Sequence, residues 1–189
     1  MTVRDIEAAW RSQFGQFGPA AFLSRQAVPD RWIRIHSLPD FKRYPETDAD
    51  RDEILCRHLA VAESVIGDTE CILFVTRFGP SIDPARASLS GLDGLPFLHL
   101  DDLSISEEDE DDSIQFFAAP FIASPSNLRP LILAVANDTT GSVLLANFHR
   151  ASAYAPYDGG ADLFFPSSNQ ASAAADRWQS WLSSRQDRL

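Results

Sequence analysis

Five side chains able to carry a positive charge lie between Arg31 and Tyr44 of an otherwise acidic protein. Guanidinium and ammonium groups are the side chains best suited to bind phosphate or carboxylate groups. The segment therefore predicts a site for a small anion or a partner, built from Arg34, His36, Ser37, Lys42, Arg43 and Tyr44. The alternative is structural: Arg34 and Lys42 pair with the protein's own carboxylates, and His36 bonds to a buried loop carbonyl.

A second candidate binding site lies near the end of the chain, in the string YDGGAD at 157–162. Its candidate residues are Tyr157, Asp158 and Asp162. Two aspartates four residues apart beside glycines resemble part of a metal site, but a metal needs more convergent ligands than this string offers. The alternative is hairpin chemistry, in which Asp158 and Gly159 form a turn and Asp162 bonds to nearby backbone amides. We expect no metal.

The negative charge is concentrated in one segment. The net charge is −11, and residues 101–112 (DDLSISEEDEDD) contain eight acidic residues and no basic one. Without those eight charges the protein would carry only −3. Six of them form what we call the acidic strip, which would steer a basic protein partner toward the chain: Glu107, Glu108, Asp109, Glu110, Asp111 and Asp112. The alternatives are loose binding of divalent cations and a mobile loop that only adds solubility.

The sequence contains no familiar catalytic or cofactor motif. There is no HExxH, GxSxG, Walker loop or GxGxxG, and the four histidines are widely spaced. Residues 48–52 copy the first half of a calcium loop, but Glu53 and Leu59 stand where that loop needs glycine and glutamate. Cys56 and Cys71 belong to no CxxC or Cys/His cluster, so we expect no zinc and two buried, reduced thiols, with a disulfide between them as the alternative. The chain is predicted to hold no cofactor and to lack catalytic residues.

Composition also limits the partners and the location. Only 16 of the 189 residues are Lys or Arg, which disfavours nucleic-acid binding. The longest aliphatic run spans 131–136, far short of the ~20 residues of a membrane span. The first residues lack the apolar core of a signal peptide. We therefore expect a cytoplasmic protein with no membrane association.

Apolar periodicity predicts the elements that position these residues. Helices are expected at 6–14, 47–66 and 167–184, with Thr47 and Ser167 as N-caps. A further helical turn is expected at 20–24, irregular chain at 79–94, and either a helix or a strand at 127–136. Strands are expected at 31–36, 70–76, 97–100, 114–122, 142–148, 151–155 and 161–165, the last three forming an antiparallel meander.

Together these elements predict the fold class. We expect one α+β domain over residues 1–189, made of a mostly antiparallel sheet with helices packed on one face. A C-terminal β-meander followed by a closing helix completes it. A mobile acidic loop is predicted at 101–112.

Two stretches of the sequence resemble a known family. They are RWIRIHSLPDFKRYPE at 31–46 and YAPYDGGADL at 154–163, the latter followed by WLS at 181–183. Both resemble the uncharacterised bacterial family called domain of unknown function 3885. The resemblance covers the first strand and its loop, the central helix, and the closing hairpin and helix, but not residues 79–125. It implies a bacterial, cytoplasmic protein and carries over no catalytic residue.

Three functions of different classes remain open. The preferred one is a non-enzymatic protein-binding domain, such as an immunity or antitoxin-like inhibitor that meets a basic toxin through its acidic surface. The second is an enzyme or binding domain for a small anionic ligand around Arg34, His36 and Lys42. The third is a structural subunit, which an exposed apolar patch around Trp178 and Trp181 would favour.

Overall fold

The computed structural model of this protein describes residues 1–79, 94–105 and 113–182. The helices in these ranges are α1 (Val3–Phe14), α2 (Ala21–Ala27), α3 (Asp48–Val65), α4 (Pro125–Ala136) and α5 (Ser168–Arg177). The strands are β1 (Trp32–His36), β2 (Glu70–Phe78), β3 (Leu98–His99), β4 (Ile114–Ile122), β5 (Val143–Asn147), β6 (Ser152–Tyr157) and β7 (Gly160–Phe164).

The strands form one sheet in the order β1-β7-β6-β5-β2-β4-β3, and every neighbouring pair is antiparallel. The long pair β2–β4 runs in register from Glu70 opposite Ile122 to Phe78 opposite Ile114. β1 lies at one edge beside β7, with Arg34 opposite Asp162. The sheet therefore places the first predicted site segment against the second.

Helices cover both faces of this sheet. On β2, Leu73 and Val75 face a core shared with α3, α4 and α5. Ile72 and Phe74 face a second core, which contains Trp10 of α1. The predicted α+β class, antiparallel sheet, C-terminal meander and closing helix are confirmed. The placement of all helices on one face is corrected, because β2 is apolar on both faces and each face needs a covering layer.

The start of α3 is fixed by a reciprocal capping box. The Thr47 hydroxyl accepts the Asp50 N–H at 3.1 Å, and the Asp50 carboxylate accepts the Thr47 N–H at 2.8 Å. Lys42 donates to the same carboxylate at 2.9 Å. These bonds, the one from Lys42 first, hold the pKa of Asp50 well below its usual range. The loop after β1 is thereby tied to the first turn of α3.

Several element boundaries differ from the predictions. The ambiguous segment is a helix, α4, with Ser124 as its N-cap. Pro120 does not interrupt β4; β3 pairs only with Phe117 and Ala118, so Pro120 lies where β4 is no longer paired to β3. The closing helix ends at Arg177, and a 3₁₀ turn follows.

The cysteines are free thiols, as expected, but only one is buried. Cys71 lies in the core on β2, whereas Cys56 is exposed on α3, which corrects the prediction of two buried thiols. Cys56 falls on the outer side of the helix, because the buried apolar stripe of α3 is formed by residues such as Ile54, Leu55 and Val61.

Parts of three predictions lie outside the described residues. The irregular segment falls there at 80–93, most of the acidic loop at 106–112, and the end of the predicted closing helix at 183–184. No helix in the described ranges is both long enough and apolar enough to cross a membrane.

A close backbone approach makes Gly160 a test of the β1–β7 contact. A methyl group at this position would overlap the backbone oxygen of Ile35 and approach the Tyr157 hydroxyl to 2.8 Å. We expect Gly160→Ala to lower the free energy of unfolding by about 2 kcal/mol or more. Its neighbour supplies the control, since a methyl group on Gly159 would meet only side-chain atoms, at 3.0 Å or beyond. Equal urea midpoints for Gly160→Ala and Gly159→Ala would contradict this account.

Candidate functional site

A buried ion pair joins the two predicted site segments. Arg34 Nε and Nη2 donate to Asp162 Oδ1 and Oδ2, both at 2.8 Å, so the contact is bidentate. Trp32 Nε1 donates to Oδ1 at the same distance. The side chains of Arg34 and Asp162 are only 15% and 3% exposed. Both carboxylate oxygens are therefore used by groups of the protein itself.

Aromatic rings enclose the same guanidinium group. Arg34 Cζ lies 4.6 Å from the centre of the Tyr157 ring and 5.7 Å from that of Trp32. Burial raises the pKa of Tyr157 to about 12, so its hydroxyl is neutral under ordinary conditions. A guanidinium held by a carboxylate and two rings presents little of its charge to an external ligand.

Two further cations of the predicted site, Arg43 and Lys42, are also paired with carboxylates. Arg43 Nε lies 2.6 Å from Asp158 Oδ2, and the Tyr44 hydroxyl donates to the same oxygen at 3.1 Å. Lys42 turns away from this group toward α3, where its ammonium lies 2.9 Å from Asp50 and 3.0 Å from Glu46. Most of the predicted residues thus come together across the β6–β7 turn, but Lys42 does not join them.

His36 and Ser37 occupy different surroundings from the arginines. The backbone carbonyl of His36 accepts a bond from Arg57 Nη1 at 3.1 Å, and burial, together with Arg34 and Arg57, lowers the pKa of its imidazole. Ser37 points into the core toward α3. An anion site around Arg34, His36 and Lys42 stays a prediction, and a ligand there would have to displace carboxylates that are already bound.

Sequence reasoning missed a buried polar chain of Ser37, His58 and Tyr154. Ser37 Oγ lies 2.7 Å from His58 Nε2, and His58 Nδ1 lies 2.7 Å from the Tyr154 hydroxyl. The three residues are 0%, 1% and 0% exposed. A signal was present in the spacing, because His58 follows Ile54 by one helical turn and precedes Ala62 by another, on the buried face of α3.

A serine bonded to an imidazole that a third group orients is the arrangement of an activated nucleophile. Here it is sealed inside the protein, so a substrate has no access to the Ser37 hydroxyl. Burial, with a smaller contribution from Arg57, lowers the pKa of His58 to about 3, which makes it a weak base near neutral pH. The polar chain of Ser37, His58 and Tyr154 therefore serves to join the end of β1 to α3 and β6.

A second histidine cluster lies where the acidic run begins. His99 Nδ1 is 2.6 Å from Asp101, and its Nε2 is 2.7 Å from Gln115 Oε1 and 3.3 Å from Ser104 Oγ. The three residues Asp101, His99 and Ser104 have the order of a catalytic triad, but the Ser104 hydroxyl donates to the Leu100 carbonyl at 2.9 Å. Its proton is thus engaged with the backbone, and the cluster fixes the turn after β3.

The described part of the acidic run projects from this turn into solvent. The side chains of Asp101 and Asp102 are 87% and 66% exposed. Helix α1 holds the turn, since Arg11 donates to the Asp102 carbonyl at 2.7 Å and Glu7 accepts the Asp102 N–H at 3.2 Å. Burial raises the pKa of Glu7. The acidic strip, 107–112, lies outside the described residues.

The two ends of the acidic segment are joined to each other. Ile105 and Ile114 form an antiparallel bridge in which each N–H donates to the other's carbonyl at 2.8 Å. The chain therefore leaves and rejoins the sheet at one point, beside the outer end of β4.

The predicted tryptophan patch and the metal prediction can also be compared with the structure. Trp178 is buried and stacks on the partly buried Trp181 at 6.4 Å, so the two form no exposed apolar patch. Arg57 lies over Trp181 at 5.3 Å. Within the described ranges, no three His, Cys, Asp or Glu side chains cluster closely enough to hold a metal ion.

Comparison with known proteins identifies a family and no individual relative. The model of the family described as Domain of unknown function (DUF3885) matches residues 21–186. The match includes the middle of the chain, for which the sequence motifs had shown no counterpart. No curated protein and no solved structure matches the chain.

The Arg34–Asp162 pair supports a stability prediction. Arg34→Met leaves a buried carboxylate without its partner, which costs about 3–5 kcal/mol of unfolding free energy. The exposed pair Arg51–Asp48, with side chains 43% and 98% exposed, provides the control, because breaking a solvent-screened pair costs less than about 1 kcal/mol. Urea unfolding of Arg34→Met and Arg51→Met measures both. Equal losses would show that Arg34 is not held as described.

His58 gives a pH prediction with a definite sign. Its folded-state pKa of about 3 lies below the unfolded value of about 6.5. The unfolded chain therefore takes up the proton first, and folding stability falls as the pH drops from about 6.5 toward 3, by about 1.4 kcal/mol per unit. Comparing urea unfolding of the wild type with that of His58→Gln cancels the pH-dependent contribution of the carboxylates, which both proteins share. A difference between them that does not change with pH would contradict a buried neutral imidazole.

Proposed function

We propose a function for this chain from its charge distribution, because it belongs to the DUF3885 family, which is defined without an activity. The proposed function is that of a bacterial, cytoplasmic, non-enzymatic domain that binds a basic protein partner. Inhibition of a basic toxin, in the manner of an immunity or antitoxin protein, is the form of binding that fits best. The observation that carries this proposal is the placing of eight of the protein's acidic residues within 101–112.

The pairing of charges elsewhere supports this choice. Arg34, Lys42 and Arg43 lie within 3 Å of carboxylates of the same chain, so the segment richest in cations is neutralised internally. The carboxylates of Asp101 and Asp102 also have partners, His99 and, at 3.8 Å, Arg11, but they are largely exposed to solvent. Concentrated negative charge at one place on a surface speeds encounter with a positive partner.

The anchoring of the acidic segment supports it further. The Ile105–Ile114 bridge, the His99 cluster and the bonds from Glu7 and Arg11 fix the segment's attachment points on the sheet. We infer from these attachment points that a basic partner approaches the outer edge formed by β3 and β4.

The two serine–histidine contacts favour binding over catalysis. The Ser37 hydroxyl is buried with its imidazole, and the Ser104 hydroxyl donates to a backbone carbonyl. Neither arrangement offers an exposed nucleophile with a free proton acceptor. A role through surface recognition needs neither.

The test starts with a partner captured from lysate of the native organism at low salt and released at high salt, then purified. Its association rate is measured with the wild type, with a variant in which the acidic strip is neutralised to Gln and Asn, and with a control of equal net charge. The control neutralises six exposed carboxylates elsewhere: Asp30, Asp52, Glu63, Asp68, Glu70 and Asp176.

We expect the strip variant to associate at least tenfold more slowly and to lose most of its salt dependence, because steering depends on local charge. The control should change much less. Equal slowing by both variants would reduce the effect to net charge, and unchanged rates in both would remove the acidic strip from binding.

A further inference from the structure

A cleft of about 470 Å³ separates the C-terminal end of α3 from α5 on the side of the first core. Its floor is apolar and includes Val65, Phe165 and the buried ring of Trp178. Two arginines, Arg150 from the β5–β6 turn and Arg177 from α5, line its rim. The size is that of a small-molecule site, and a mainly apolar lining with a few polar groups is typical of one.

The two guanidinium groups converge on a single residue. Arg150 Nη1 donates to the Ser64 carbonyl at 3.5 Å, and Arg177 Nη1 donates to the Ser64 hydroxyl at 3.4 Å. Each guanidinium has five N–H donors and uses one of them in these long contacts. Neither guanidinium makes a further hydrogen bond to a described residue.

Neither arginine has a carboxylate partner among the described residues. No Asp or Glu oxygen there lies within 4.0 Å of Arg150 or Arg177, although Glu63 and Asp176 are close in sequence. This differs from Arg34, Arg43 and Lys42, each of which has one. Arg25 and Arg129 also lack one in the described part of the chain, but Arg150 and Arg177 in addition line the same cleft, and two guanidinium groups without counterions there suit an external anion.

Capping of α3 does not account for both arginines. The next two carbonyls of the α3 end are bonded by other side chains, Val65 by Ser152 Oγ and Ile66 by Asn147 Nδ2, both at 2.7 Å. A positive charge there would still favour the helix dipole. That role concerns Arg150 alone; Arg177 lies in the last turn of α5, with its guanidinium 5.5 Å from the centre of the Trp178 ring.

The backbone makes room for Arg150. Gly67, just after α3, has a φ of +75°, and a methyl group on it would lie 2.7 Å from Arg150 Nη2. The positive φ accounts for glycine at this turn, and the Arg150 guanidinium packs against it.

We propose that this cleft binds a small organic anion, with its charged group between Arg150 and Arg177 and its apolar part over Trp178 and Phe165. Planar guanidinium forks match both carboxylate and phosphate groups. The apolar floor selects a ligand with a hydrophobic body over a bare inorganic ion. The site lies on α3 and α5 and is independent of the acidic strip.

In the test, the full chain is titrated with four probes, and binding is measured by calorimetry and by Trp fluorescence. Phenyl phosphate and benzoate carry the two anionic groups on the same ring; inorganic phosphate lacks the ring, and benzyl alcohol lacks the charge. We expect at least one ring-bearing anion to bind at least tenfold more tightly than inorganic phosphate and benzyl alcohol. The tighter of the two identifies the charged group.

Variants connect the binding to the two arginines. Arg150→Gln and Arg177→Gln should each weaken it at least tenfold, whereas Arg129→Gln, on the exposed side of α4, should leave it unchanged. Arg150→Lys keeps the charge without the fork and should bind with intermediate affinity; thermal unfolding verifies that each variant is folded. Equal binding by all variants, or no preference for the ring-bearing anions, would overturn the proposal.

Discussion

The bidentate contact between Arg34 and Asp162 is the interaction on which the arrangement of this protein depends. It joins the edge strand β1 to the C-terminal hairpin, across more than a hundred residues of sequence. Because both groups are largely withdrawn from water, neither can be left without the other. The pair thereby fixes the register of β1 and, through the next residues, the positions of Ser37 and the loop that binds α3.

This arrangement also decides which charges face outward. The carboxylates of Asp162, Asp158 and Asp50 neutralise the cations that the sequence places around β1. The charges outside these pairs include the acidic run that begins at Asp101 and the two arginines on the cleft between α3 and α5. These are the two places at which we propose that a cationic partner and an anion bind.

Most of the fold follows from patterns in the sequence, whereas the candidate sites follow only in part. The periodicity of α3 and the capping residue Thr47 predicted that helix within about one residue. The second helical layer could not be predicted, because the periodicity of the short α1 does not show which face of the sheet this helix covers. Arg34 and Asp162 were selected separately, since only the β1–β7 register shows that they meet. Arg150 and Arg177 could not be predicted as a site from the sequence, because no local motif links a residue of the β5–β6 turn to a residue of α5 more than twenty positions later.

The measurement that tests this account most directly follows the guanidinium ¹⁵N–¹H signals of the arginines by NMR while phenyl phosphate is added. Internally paired arginines are closed to the anion, and those on the cleft are open to it. The account predicts shifts for Arg150 and Arg177 and none for Arg34. Shifts at Arg34 with Arg150 and Arg177 unchanged would show that the ion pair opens to ligands and would contradict it.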